Sequence, residues 1–380
     1  MIMKYKLNSD ISNNLSFIND DTLSKLNKEL NDVKSLIDNY PKEWEIVKRQ
    51  IHEYEYIYTS SYYKKNISYI SPISRSYFKF REIYNSYPLL NSFEDKLSDI
   101  KILCLAEAPG GFIQSILDLI PNEKIDKIHG ITLISEDSKI PSWNHLIRKN
   151  KKVQFHTGGA GNGDLYDFKN VLSFIKDIQK SSVHLITGDG GFDNSSDYSK
   201  QEEHSLKLIY SEIFMALNLQ KRGGSFVCKI FDTFKKETII LLYILRSSYN
   251  EIYIHKPKIS RLSNSEKYIT CIDYKGYNHK IINLLCHNFN DNKLNIPIDN
   301  LYISDMISFN SKYCKIQMDH IHMGINIIMK NKLNKRPTKE QIELAIEWCK
   351  KYNIQINDKC IFLRFDNHLP ESRVGKTMFR

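Results

Sequence analysis

The sequence predicts an α/β fold built on a mostly parallel β-sheet with helices on both faces. Between Lys101 and Tyr274, short apolar runs alternate with helix-like repeats, and this alternation is typical of parallel sheets. The first of these runs, residues 101–106, is largely apolar, as expected for a strand buried on both faces. It leads through a glycine-rich turn directly into a helical repeat, which is how a strand connects to a helix in this fold class.

Each element of the central segment follows from its own pattern. The strands are short apolar runs bounded by turn residues, and the helices repeat apolar residues every three or four positions. The predicted strands are 101–106, 127–133, 153–157, 183–188, 225–231, 251–255 and 267–274, and the predicted helices are 111–120, 202–219 and 235–247.

The flanking regions look different from the centre. Apolar residues at helical spacing run from Leu23 to Ile37 and again from Trp44 to Tyr58, which predicts two antiparallel helices. After Gly276 the strand–helix alternation fades. The sequence therefore predicts three parts: a helical N-terminal extension at 1–70, an α/β domain at 71–276 and a C-terminal extension at 277–380.

Composition restricts the class of protein. The chain has 380 residues, of which 41% are hydrophobic, as in globular proteins, and it has no apolar run of about 18 residues that would predict a membrane helix. Seven cysteines without a CxxC pair favour reduced thiols in an intracellular protein and argue against a zinc site. The net charge of +10 suits a polyanionic partner. This signal is weak, because abundant Ile, Asn, Lys and Tyr are typical of an AT-rich genome.

The most specific motif is KILCLAEAPGGF at residues 101–112. Glu107 follows the strand, at the edge where open α/β sheets bind nucleotide-like ligands. Gly110 and Gly111 allow a ligand to approach the backbone. A tight turn without a ligand is the alternative interpretation. Nicotinamide and nucleoside triphosphate sites are disfavoured, because the glycine-rich run at 157–164 lacks G-x-G-x-x-G and the GKT at 375–377 lacks its preceding glycine.

Together with AEAPGGF, four further segments resemble the FtsJ-type RNA ribose 2′-O-methyltransferases. In chain order they are SRSYFKFREI at 74–83, GDGGFD at 188–193, GGSFVCKIFD at 223–232 and SRLSNSEKY at 260–268. The resemblance covers roughly residues 70–276. It implies a Rossmann-like methyltransferase domain with a seven-stranded, mostly parallel sheet whose last strand is antiparallel.

The same resemblance implies a catalytic tetrad of Lys79, Asp189, Lys229 and Glu266. Lys229 is the most telling member, because a lysine in the middle of an apolar strand needs a partner or a function. Burial and a second cation lower the pKa of a lysine, and neighbouring carboxylates raise it. Lys229 is therefore either the base that takes the proton of the ribose hydroxyl or an ammonium group that orients it.

The resemblance also implies that S-adenosylmethionine is the methyl donor and that no metal is needed. The expected donor site is the loop after the first predicted strand, with one further residue in a later turn. Asp164 is a candidate to accept a hydrogen bond from the adenine, and a simple loop cap is the alternative. The loop residues are Glu107, Ala108, Pro109, Gly110, Gly111 and Phe112.

The motifs GITL at 130–133, GDGGFD and SRLSNSE are most similar to the corresponding motifs of eukaryotic and viral cap-specific mRNA ribose methyltransferases. The resemblance thus implies 2′-O-methylation of capped mRNA, at the first transcribed nucleotide, with capping or transcription subunits as further partners and no membrane. An rRNA or tRNA ribose methyltransferase and a catalytically idle RNA-binding capping subunit are the alternatives. The composition fits a large DNA virus, which favours the cytoplasm and leaves the nucleus open.

Overall fold

An eight-stranded β-sheet lies at the centre of the computed structural model, which describes residues 3–7, 14–96, 99–137, 141–143, 150–191 and 200–365. A separate pair of two-residue strands lies outside this sheet. The strands are β1 (Met3–Lys6), β2 (Leu15–Ser16), β3 (Ile100–Leu105), β4 (Ile125–Ile131), β5 (Val153–His156), β6 (Val183–Gly188), β7 (Gln220–Ile230), β8 (Tyr249–Lys256), β9 (Lys267–Tyr274) and β10 (Ile298–Asp299).

Helices cover the sheet and form the two flanking regions. Their apolar faces form the core with the sheet, as expected for layered α/β proteins. They are α1 (Ser24–Ser35), α2 (Pro41–Gln50), α3 (Ser76–Tyr84), α4 (Gly111–Leu119), α5 (Phe168–Ile178), α6 (Gln201–Leu219), α7 (Lys236–Ser248), α8 (His279–His287), α9 (Asn300–Met329) and α10 (Lys339–Lys351).

The strand order of the large sheet is β1-β8-β9-β7-β6-β3-β4-β5. Strands β3 to β7 pair in parallel, and β9 lies antiparallel between β7 and β8. The chain runs outward from β3 through β4 and β5 and then crosses to β6 on the other side of β3. Ligands of open α/β sheets bind at such a reversal, beside the carboxyl ends of the strands. The predicted α/β methyltransferase-like architecture is confirmed.

Strand β1 adds an eighth strand to the seven that the family resemblance implies. It pairs antiparallel with β8, in the register Met3 to Lys256. Four helices were also missed: α3, α5, α8 and the 30-residue α9, of which the last two lie after Gly276, where the predicted strand–helix alternation fades. The second N-terminal helix ends at Gln50, although the apolar repeat continues to Tyr58.

The two flanking regions pack against each other and against the sheet. Helix α9 contacts both α1 and α2, and the ring of Trp44 lies against Gly324 so closely that a Cβ there would fall 2.6 Å from it. The indole of Trp348 in α10 donates a hydrogen bond of 3.0 Å to Glu82 in α3. Parts of the chain far apart in sequence therefore share one packed structure. Within the described ranges, none of the helices combines the length and apolarity that a membrane crossing requires.

Candidate active site

Four charged side chains meet at the carboxyl edge of the sheet. Lys79 projects from α3, Asp189 follows β6, Lys229 lies near the end of β7, and Glu266 immediately precedes β9. Lys79 Nζ lies 2.7 Å from Glu266 Oε2, and Lys229 Nζ lies 3.2 Å from Asp189 Oδ1. All four predicted tetrad residues thus form one cluster of two ion pairs, with side chains between 11% and 15% exposed.

The register of the sheet explains why these residues meet. Gly188 of β6 pairs with Cys228 of β7, which places Asp189 beside Lys229. On the other side of β7, Lys229 pairs with Tyr268 of β9. Glu266, two residues before Tyr268, therefore lies next to the same lysine.

Two hydroxyl groups that the sequence analysis did not identify hold the carboxylates in place. Tyr268 OH donates a hydrogen bond of 2.7 Å to Asp189 Oδ1, and Ser260 Oγ donates one of 2.8 Å to Glu266 Oε1. Lys229 Nζ also donates to the backbone carbonyl of Asp189 at 2.8 Å. Because two or more polar contacts hold each of Asp189, Lys229 and Glu266, the cluster is preorganised.

The electrostatic balance at Lys229 favours the charged form. Burial lowers the pKa of Lys229, but the carboxylates of Asp189, Glu266 and Glu212 outweigh this effect, and the net pKa lies above the ordinary 10.5. Burial also acts against the charged form of Glu266, yet the ammonium groups of Lys79 and Lys229 lower its pKa to about 2. The resting cluster therefore contains an ammonium at Lys229 and a carboxylate at Glu266.

The loop between β3 and α4 forms a tight turn beside this cluster. Gly110 has φ of 105°, a left-handed backbone conformation that residues with a side chain rarely adopt, and it is the N-cap residue of α4. The need for glycine at position 111 has a packing explanation, because a Cβ there would lie 2.2 Å from the hydroxyls of Ser74 and Ser76. Phe112 is fully buried, with its ring against Phe80, so this residue packs in the core of the protein.

Glu107 is the acidic group of the loop, and it is only 3% exposed. Neither of its carboxyl oxygens makes a hydrogen bond to the described residues. Burial raises the pKa of Glu107 well above its ordinary value of 4.5, and the neighbouring carboxyl groups of Asp189 and Glu212 add to the rise. A buried carboxylate without a partner is costly, and a cationic ligand at this edge would relieve that cost.

Glu212 of α6 is a buried acid that the sequence analysis missed. It is 1% exposed, and burial raises its pKa to about 8. Cys228 Sγ donates a hydrogen bond of 3.1 Å to Glu212 Oε2. The sequence around Glu212 contains no motif that marks it as a site residue. Only the fold, which packs β7 against this part of α6, brings Glu212 close to Cys228.

Asp164 lies in the turn after β5, on the same edge of the sheet as Glu107. Its Oδ1 accepts a hydrogen bond of 2.9 Å from the backbone N–H of Tyr166, and its carbonyl accepts one of 2.9 Å from Asn170. The structure thus shows the loop-capping contact. The expected contact with adenine stays a prediction.

A cleft of about 280 Å³ opens beside Lys229 and Glu266. Its opposite wall comes from the flanking regions: α1 contributes Lys34, α2 contributes Trp44 and Lys48, and α9 contributes Gln317. The site therefore combines buried acidic side chains near the turn after β3 with a more basic cleft next to them.

The chain is similar in sequence to known methyltransferases. A family model described as FtsJ-like methyltransferase matches residues 72–274. Cap-specific mRNA (nucleoside-2′-O-)-methyltransferase 2 of Pongo abelii is 28% identical over 283 residues, a match that covers 70% of this chain and 35% of the relative. The cap-specific mRNA (nucleoside-2′-O-)-methyltransferase of Autographa californica nuclear polyhedrosis virus is 29% identical over 226 residues, covering 60% of this chain and 77% of the relative.

Among solved structures, a putative ribosomal RNA methyltransferase from Plasmodium falciparum aligns with 20% identity and a TM-score of 0.39, over 53% of this chain and 98% of that one. The match to the Pongo abelii protein spans about a third of that relative's length. The family model, in contrast, matches more than half of the 380 residues, and its range contains the loop between β3 and α4 and all four clustered residues. The chain belongs to the FtsJ-like methyltransferase family.

Proposed function

We propose that this protein is an S-adenosylmethionine-dependent RNA ribose 2′-O-methyltransferase that acts on capped mRNA at the first transcribed nucleotide. The observation that carries the proposal is the cluster of Lys79, Asp189, Lys229 and Glu266 beside the loop after β3. The names of the mammalian and viral relatives support the choice of capped mRNA.

The residues at the carboxyl edge of β3 fit a cationic methyl donor. S-adenosylmethionine supplies a methyl group already activated on a sulfonium, and it also has an ammonium group. Glu107, which lacks a hydrogen-bond partner, would bind a positive group of the donor, and the turn at 108–111 would enclose it. We propose Asp164 for the adenine, because its turn lies at the same edge of the sheet.

Lys229 would contact the acceptor hydroxyl from the cleft side. Its raised pKa supports the role of an ammonium that donates a hydrogen bond to the 2′-oxygen and thereby directs a lone pair toward the donor. The 2′-oxygen would bond to the methyl carbon as the bond from sulfur to that carbon breaks, and the hydroxyl proton would pass to water. Asp189 fixes the position of this ammonium, and Lys79 fixes Glu266 on its other side. The main contribution of these side chains is alignment of the hydroxyl.

We further propose an intracellular site of action. All seven cysteines are free thiols in the structure, which suits a reducing compartment. We propose the cytoplasm as the compartment, with the nucleus as the alternative. We also propose other capping or transcription subunits as partners.

Methyl transfer from labelled S-adenosylmethionine tests the function directly. Matched capped and uncapped RNAs, an rRNA fragment and a tRNA serve as acceptors, and nuclease digestion followed by chromatography locates the label. We expect label on the 2′-oxygen of the first nucleotide of capped RNA, and none with Lys229→Ala. Label on rRNA or tRNA would favour the alternative substrates. Binding of capped RNA without transfer would favour an idle RNA-binding subunit.

A further inference from the structure

The wall of the cleft that faces Lys229 contains residues outside the segment matched by the family model. Lys34, Trp44 and Lys48 come from α1 and α2, and Gln317 comes from α9, whereas the match covers only residues 72–274. An acceptor bound at Lys229 would therefore also contact the N-terminal helices.

The charges in the cleft suit a polyanion. Its cationic side chains are Lys34, Lys48, Lys229 and Arg261, and among the described lining residues Glu266 is the acidic one. A ribose whose 2′-oxygen reaches Lys229 has phosphodiester groups on both sides. At least one of these phosphates would lie within the same cleft, where a cation would bind it.

Three of the four cations already have strong partners. Lys34 donates to Asp232 at 2.7 Å, and Lys229 is paired with Asp189. Arg261 makes three hydrogen bonds of 3.0 to 3.1 Å to the two carboxyl oxygens of the buried Glu55. Moving any of these groups to a phosphate would take a cationic partner away from a buried carboxylate, which is costly.

Lys48 differs from the other three. Its ion-pair partner is Glu45, one turn earlier in α2, and that carboxylate is 58% exposed. Exposed pairs of this kind contribute little, so the ammonium of Lys48 can turn to another anion at small cost. Lys48 also lies where the cleft meets a small adjoining cavity, since it lines both, together with Arg261 and Ser263.

Trp44 does not offer a base-stacking surface. It is only 7% exposed, and its ring packs on Gly324. The contact that α2 can offer to RNA is therefore electrostatic.

We propose that Lys48 binds a phosphodiester next to the acceptor nucleotide, so that helix α2 forms part of the RNA-binding site. This inference rests on the proposed function and adds to it the position of one backbone contact.

The first test compares Lys48→Ala with Lys48→Arg and with Lys42→Ala, a matched control on the exposed face of the same helix. Fluorescence anisotropy with a short capped RNA gives affinity over a range of salt concentrations. We expect Lys48→Ala to weaken binding roughly tenfold and to reduce the slope of log affinity against log salt by about 0.7, the value for one phosphate contact of a single strand. Lys48→Arg should restore most of the affinity, and Lys42→Ala should resemble the wild type.

The second test locates the phosphate. Two capped RNAs have an uncharged methylphosphonate on one or the other side of the acceptor nucleotide, and one of them should bind the wild-type protein as weakly as native RNA binds Lys48→Ala. The variant itself should not distinguish that RNA from native RNA. Equal losses in both proteins, or equal affinities of Lys48→Ala and Lys42→Ala, would overturn the proposal.

The two proposals fail differently. If the wild-type protein binds RNA with the expected dependence on Lys48 but transfers no methyl group, the proposed activity is wrong and the contact is retained. If the wild type methylates capped RNA and Lys48→Ala shows unchanged affinity, salt slope and KM, the contact is wrong and the activity is retained.

Discussion

The ammonium of Lys34 lies 2.7 Å from Oδ2 of Asp232, and both side chains are less than 10% exposed. Asp232 follows Lys229 by three positions on the same segment. Its Oδ2 also accepts a hydrogen bond of 2.9 Å from Ser265, the neighbour of Glu266. One buried carboxylate thus connects α1 with the two segments that contain Lys229 and Glu266.

We expect Lys34→Met to destabilise the protein by about 3 kcal/mol, because it leaves Asp232 without its main partner in the interior. Turnover should fall as the segments that hold Lys229 and Glu266 loosen, with donor affinity unchanged. Urea denaturation and steady-state kinetics measure the two effects. Lys28→Met, on the exposed side of α1, is the matched control.

The double variant Lys34→Met with Asp232→Asn removes both charges, and we expect it to recover part of the lost stability. If the losses of the two single variants simply add, the pair does not act as one unit.

Lys229→Ala should reduce methyl transfer by roughly 10²-fold or more, because the acceptor hydroxyl loses the group that aligns it with the donor. Donor affinity, measured by calorimetry, should change little, because Lys229 lines the cleft. Lys221→Ala, at the opposite end of β7 and exposed, should keep normal activity. Activity of Lys229→Ala above a tenth of the wild type would remove this residue from the mechanism.

The parallel strands could be predicted from the sequence alone, because strands buried on both faces are continuous apolar runs. Strands β6 and β9 were predicted with their observed ends. Helix α5 was missed although Val171, Phe174, Ile175 and Ile178 follow helical spacing, so its signal was available.

Other features had only a weak local signal. Strand β1, MKYK, alternates apolar and charged residues, but over only four positions, and it is defined by its pairing with β8. Helix α9 buries the polar residues Asn310 and Gln317, which bond to Thr233 and to Ser265. These polar side chains interrupt the apolar repeat, and only the tertiary partners explain them. The pair Lys34–Asp232 likewise joins residues 198 positions apart.

Gly110→Ala should weaken donor binding, because φ of 105° is strained for any residue with a Cβ and the loop would shift. Gly276→Ala is the matched control: Gly276 has φ of 114°, and its Cβ would have nothing nearer than 4.0 Å. Both variants should lose similar stability in thermal unfolding. Calorimetry should show weaker donor affinity only for Gly110→Ala, and equal affinities would place the donor elsewhere.

The pKa of Glu266 predicts a specific dependence of stability on pH. Its value of about 2 in the folded protein lies below the ordinary 4.5. The ionised group therefore stabilises the fold fully above about pH 4.5, and this contribution disappears as the pH falls toward 2. Glu266→Gln removes the titration, so the difference in unfolding free energy between wild type and variant should be about 3 kcal/mol at pH 7. It should shrink between pH 4.5 and 2, and a constant difference would contradict the assignment.

Truncation after Gly276 should prevent folding. From the sequence alone, the donor site needs nothing beyond this point, but α9 and α10 contact α1, α2 and α3 in the structure. Their loss would expose Trp44 and leave Glu82 without the indole of Trp348. Circular dichroism and gel filtration check the outcome. A soluble, monomeric fragment with normal donor affinity would show instead that residues 277–380 are a separable extension.

Strand β1 has a consequence for the order of events during synthesis. Its partner, β8, ends at Lys256, and the bridge from Ser68 leads to Ile356. A ribosome must therefore complete β8 before β1 can find its permanent neighbour, and reach Ile356 before Ser68 can find its own. Such distant pairings slow folding, and the nascent chain would expose Leu30 and Val47 to chaperones until α9 emerges.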